Sequence, residues 1–183
     1  MSYKKWVFIA IFLFGVGLAF GLATPAGVSS VISEDIAALE EQLASILALP
    51  KFLIAIFIFV KNVSALLLSF LLSPIFCLVP VVALIANGWV LSFVSAIVVQ
   101  QESLGFLLAG LLPHGVFELP ALILGEAAAL NFGTMAVLAL FRKREKNLLL
   151  PSLRQNVKYL LIAFALLLPA AIIETYITPL LLT

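Results

Sequence analysis

The sequence predicts an all-α membrane protein: about five transmembrane helices, an outer amphipathic helix and a short broken or re-entrant helix. Three observations predict it. Of the 183 residues, 64% are hydrophobic and only 10% are charged. Soluble domains run near half apolar and about a quarter charged, so lipid must solvate most of this chain. The apolar residues also gather in stretches long enough to cross a bilayer, separated by short polar or helix-breaking runs. Finally, the long stretch from Ser103 to Phe141 is interrupted by Pro113-His114-Gly115-Val116-Phe117-Glu118-Leu119-Pro120. Helix breakers and ionisable groups are expensive inside a membrane and need a structural or functional reason.

The first apolar stretch runs from residue 6 to 23, after Lys4 and Lys5. A charged start before an apolar centre also fits a signal peptide, but the stretch is long and reads as a retained span. Thr24-Pro25-Ala26-Gly27 ends it. Over 31–49 the apolar residues Val31, Ile32, Ile36, Leu39, Leu43, Ile46 and Leu47 follow helical spacing, with Glu34, Asp35, Glu40, Glu41, Gln42 and Ser45 between them. Ser33, followed by two acids, reads as a helix start. This amphipathic helix either covers the protein's own outer surface or offers a docking surface. Further spans fall at 51–72 and 75–99, with the turn Ser73-Pro74 between them. A bilayer core of roughly 30 Å needs about 20 helical residues, so 103–141 is too long for one crossing. The octet is expected to divide it into a broken segment, 103–120, and a span over 116–141. A basic loop, 142–158, precedes a last span over 159–178. The whole chain reads as one transmembrane domain.

Six of the ten Lys and Arg residues lie between Arg142 and Lys158, and two precede the first span. The positive-inside rule puts both regions in the cytoplasm, which four intervening spans allow. The N-terminus is then cytoplasmic, and the acidic helix and the C-terminus are extracytoplasmic. A rise of about 1.5 Å per residue, measured from Phe141, places Glu126 roughly 22 Å and Glu118 roughly 34 Å from the cytoplasmic edge. Two polar layers follow: an outer one of His114, Glu118, Glu126 and Glu174, and a central one of Lys61, Asn62 and Asn87. A lysine this deep must face other helices.

His114 and Glu118 are four apart and share a helical face, a spacing that suits a metal or an acid–base pair. His114 is the chain's one histidine, however, and a metal would need Glu126 or Glu174 as further ligands. No metal, no other cofactor and no nucleic-acid partner is expected. The lone Cys77 excludes an internal disulfide and reads as a small buried hydrophobe. A structural reading requires less: Pro113, Gly115 and Pro120 break the backbone, Glu118 meets free amides and His114 ties a neighbouring backbone. Mutants of His114 or Glu118 that kept full stability but lost function would argue for chemistry or transport instead.

Asn87-Gly88, Pro113-His114-Gly115 with Glu118 and Pro120, and Glu174 with Thr178-Pro179 together resemble the stage II sporulation protein M family, over nearly the whole chain. The resemblance implies an integral membrane protein of about this size. Its namesake acts as a scaffold, recruiting two peptidoglycan-degrading partners during engulfment of the forespore. It therefore implies a scaffold or accessory role, not a specific process, and transfers no catalytic residue. The function expected is a non-enzymatic membrane scaffold that recruits or organises other membrane or extracytoplasmic proteins. A transporter or channel component with a polar intramembrane route is the alternative, and an intramembrane metal enzyme comes third. The lipid bilayer is a partner in every case, and a homo-oligomer is left open.

Overall fold

The computed structural model describes residues 3–24, 49–75, 77–141 and 146–182. All regular structure in them is helical: α1 (Tyr3–Ala23), α2 (Lys51–Leu72), α3 (Leu78–Gln101), α4 (Leu104–Phe141), α5 (Lys146–Tyr176) and the short α6 (Thr178–Leu181). Helices α1 to α5 are each long and apolar enough to cross a membrane. Without water, a spanning segment must satisfy its own backbone groups, and the helix does so within itself. The amphipathic helix expected over 31–49 lies almost entirely outside the described residues.

Two expectations need correction. Residues 103–120 form neither a broken nor a re-entrant segment, because α4 runs unbroken through Pro113 and Pro120. Each proline removes one N–H donor and strains the helix locally, whereas ending one helix and starting the next strands up to four C=O and four N–H groups at the break. In an apolar surround the smaller loss wins. The start of α4 is capped by Ser103, whose Oγ accepts from the Phe106 amide at 3.1 Å. The basic stretch is also not a loop throughout: α5 begins at Lys146 and carries Arg154 and Lys158 on helix.

Helices α4 and α5 share the largest interface and α1 and α3 the next. Along α1 and α3 the partners rise together, Gly17 against Ile85 and Gly21 against Trp89 and Ser92, so the two are parallel. This seam has no room for side chains. A Cβ at Gly17 would overlap the Ile85 carbonyl, and one at Gly88 the Phe14 carbonyl. The four-residue spacings Gly17–Gly21 and Gly88–Ser92 supply the small faces that bring membrane helices together. The Ser92 hydroxyl donates to the Leu18 carbonyl at 2.8 Å, and the Trp89 indole to Thr24 Oγ1 at 2.9 Å.

Tyr3 anchors the other end of α1. Its ring stacks on Tyr159 of α5, centroids 3.4 Å apart, and its hydroxyl donates to the Leu124 carbonyl of α4 at 2.7 Å. Tyr3→Phe keeps the stack and loses the hydrogen bond. Detergent-state thermal unfolding is expected to show a loss near the membrane hydrogen-bond average of about 0.6 kcal/mol and at most about 1.7. An unchanged melting curve would mean that the stack alone holds α1.

At the α2–α3 turn, Ser73 Oγ donates to the Phe70 carbonyl at 2.7 Å and the Cys77 amide to the Ser73 carbonyl at 2.9 Å. Cys77 is half-buried with φ 57°, a left-handed value rare outside glycine. Its Sγ lies 3.6 Å from the Leu130 carbonyl and 3.5 Å from Thr134 Oγ1. Burial pushes the thiol pKa up, against a smaller downward effect of the Thr134 contact. Gly133 of α4 meets the Ser73 carbonyl, so α4 passes this turn with eight helical residues still to run.

Candidate functional site

The octet occupies the first half of α4, between α3 on one side and α2 and α5 on the other. His114 and Glu118 stand one turn apart, with Nε2 and Oε2 3.8 Å from each other. The other ring nitrogen of His114, Nδ1, lies 3.4 Å from the hydroxyl of Thr178, at the start of α6. From α2, the Asn62 amide donates to Glu118 Oε1 at 3.3 Å. From α5, Glu174 completes a group with His114 and Glu118 in which one ligand atom from each lies within 4.8 Å of the others. Lys61 is within electrostatic reach of Glu174. Four elements therefore converge on a half-buried cluster.

Three cavities meet there. One of about 520 Å³ lies between α3 and α4 and is lined by His114, Glu118, Glu174 and Asn87 among mostly apolar groups. Another, of about 450 Å³, lies between α2 and α5 and reaches Lys61, Asn62, Glu118 and Glu174. A third, of about 90 Å³, joins Asn62, Asn87, Glu118 and Glu126. Glu118 lines all three.

The two polar layers expected from the sequence are regrouped. Lys61 and Asn62 border the same cavity as Glu118 and Glu174, near the middle of α2, rather than forming a separate layer, and Lys61 is exposed instead of enclosed between helices as its depth led one to expect. Asn87 borders the cavities, but its amide donates to the Ala83 carbonyl of its own helix at 2.8 Å. Glu126 is not part of the cluster. It is 1% exposed, two turns beyond Glu118, and accepts from Ser69 Oγ of α2 at 2.6 Å. The depth scale placed its zero at Phe141, whereas Gly133 is already level with the α2–α3 turn. Measured from that turn, each α4 residue lies about eight residues, roughly 12 Å, closer to the cytoplasmic edge than its distance from Phe141 implies. Pro113, Gly115 and Pro120 lie in continuous helix and break no backbone.

Other polar pairs went unread in the sequence. Asn131 of α4 donates to Asn156 of α5 at 3.0 Å, and the fully buried Asn156 donates on to the Ser152 carbonyl at 2.9 Å. The available signal was two asparagines in or beside apolar runs, the same signal that flagged Asn62 and Asn87.

Five apolar helices, with a half-buried cluster of imidazole, carboxylates, amide and hydroxyl where α2, α4, α5 and α6 converge, define a multi-pass α-helical membrane protein with an intramembrane polar site. The family model for stage II sporulation protein M matches residues 9–179, and the chain belongs to that family. An uncharacterized protein of Methanocaldococcus jannaschii is 28% identical over 178 residues, covering 94% of this chain and 93% of the relative. No solved structure matches. The matched residues include every member of the cluster.

Proposed function

We propose that the protein is a non-enzymatic membrane scaffold or accessory protein that recruits or organises partner proteins at the membrane. One observation carries this reading: most interior polar groups are spent on tying helices together. Glu126 is held by Ser69, Asn131 by Asn156, Tyr3 by the Leu124 carbonyl and Ser92 by the Leu18 carbonyl. Such bonds make a rigid platform. Five crossings would leave the termini on opposite sides, and the positive-inside rule applied to Lys4, Lys5 and the basic residues around 142–158 favours a cytoplasmic N-terminus. On that orientation the acidic 31–49 segment and the C-terminus would be extracytoplasmic. Partners would be other membrane or extracytoplasmic proteins, or a second copy of the chain.

A second reading has its own support. Glu118 borders all three cavities, as a residue gating a polar route would. One experiment separates the two. Photo-crosslinkers are placed one at a time at Glu34, Glu40 and Glu41 in native membranes. The scaffold reading expects one protein captured from several positions and released by Glu40→Lys/Glu41→Lys. Proteoliposomes that pass protons or metal ions, and stop doing so in Glu118→Gln, would overturn it in favour of a route.

A further inference from the structure

The geometry points to a site for a single first-row divalent cation, zinc being the best fit, held by His114 Nε2, Glu118 and Glu174 between α4 and α5. The sequence pairs one imidazole with a carboxylate and offers Glu126 or Glu174 as further ligands. The fold supplies the third ligand from α5, 56 residues beyond Glu118. A tetrahedral ion with bonds of about 2.0–2.1 Å needs ligand atoms about 3.3–3.4 Å apart. His114 Nε2 and Glu118 Oε2 stand at 3.8 Å, and all three ligand atoms lie within 4.8 Å of one another. Carboxylate side-chain rotation closes these gaps without moving a helix.

The ligands are already oriented. Metal-bound histidines almost always donate their second ring N–H to a neighbour, which fixes tautomer and ring plane. Thr178 Oγ1 stands 3.4 Å from His114 Nδ1, placed to accept that proton and leave the Nε2 lone pair for the ion. Asn62 donates to Oε1 of Glu118, which leaves Oε2 for coordination. One imidazole and two carboxylate oxygens suit zinc, with manganese and iron(II) behind it. The large cavity between α3 and α4 touches all three ligands and leaves room for water in a fourth position. Lys61, exposed and able to swing away, balances part of the carboxylate charge when no ion is present.

The test uses the full chain in detergent, purified through a histidine-free tag and stripped with a chelator. Cobalt(II) is titrated while its visible d–d absorption is recorded, and zinc is then added in competition. The expected result is one ion per chain, displaced by zinc, and lost in His114→Ala, Glu118→Gln and Glu174→Gln. Thr178→Val should weaken binding by about 10–100-fold, as loss of a ligand-orienting partner does. Glu126→Gln should bind as the parent does. Because ligand variants risk misfolding, the unmutated chain supplies a second readout. With a single histidine, carbethoxylation reports His114 alone, and zinc should protect it. No saturable binding, binding undiminished in Glu174→Gln, or carbethoxylation unaffected by zinc would each overturn the site.

Discussion

Gly88→Leu is expected to abolish the folded bundle. Overpacking a core typically costs about 1–3 kcal/mol because side chains can give way. At Gly88 the obstacle is the backbone of α1, with the Phe14 carbonyl, the Leu18 amide and the Gly17 Cα around the space that a Cβ would enter. Neither helix can yield without separating, and separation also breaks the Ser92 bond to Leu18 and the Trp89 bond to Thr24. Size-exclusion chromatography in detergent should show loss of the monodisperse peak, with Gly17→Leu behaving the same way. Gly15→Leu is the control, since a Cβ there meets nothing within 4 Å. A Gly88→Leu protein that eluted and melted like its parent would refute the close-contact seam.

Glu126→Ala carries the second large effect. The carboxyl group is 1% exposed and accepts the Ser69 hydroxyl at 2.6 Å. Removing it orphans a buried hydroxyl, at about 1–3 kcal/mol, and leaves a void whose cost adds to that. Glu126→Gln keeps an acceptor for Ser69 and should retain most of the stability. Ser69→Ala combined with Glu126→Leu should recover part of the loss, because both polar partners leave together and the volume is partly refilled. Differential scanning fluorimetry on the four proteins gives the comparison. Equal melting temperatures for Glu126→Ala and the parent would remove Glu126 from the α2–α4 interface energetics.

The fold class was legible because it depends on composition and stretch length, and lipid imposes both. The continuity of α4 was not, because a proline that ends a helix in water need not end one in lipid. In water a helix end is solvated cheaply, whereas in lipid the stranded amides and carbonyls cost more than two missing bonds. His114, Glu118, Glu174, Asn62 and Lys61 were all nameable as polar residues in apolar runs. Their grouping was not, because it depends on where α2 and α5 sit against α4. Glu126 shows the limit plainly: a ruler along one helix cannot know where a neighbouring helix ends. The α1–α3 seam is present in the spacings Gly17–Gly21 and Gly88–Ser92, but a single sequence does not say which two small faces meet. Thr178 stood out only through family resemblance, and its contact with His114 crosses 64 residues of chain.

Pro113 and Pro120 flank the segment that carries His114 and Glu118. Each lacks the amide that would close a helical turn, so the carbonyls of Ala109 and Val116 have no intrahelical donor. The rod is thus compliant at two joints and stiff between them. Glu174 rides on α5, which carries its own helical prolines Pro151 and Pro169, so the distance between it and the His114–Glu118 pair is set across two helices that each lack backbone bonds near the cluster.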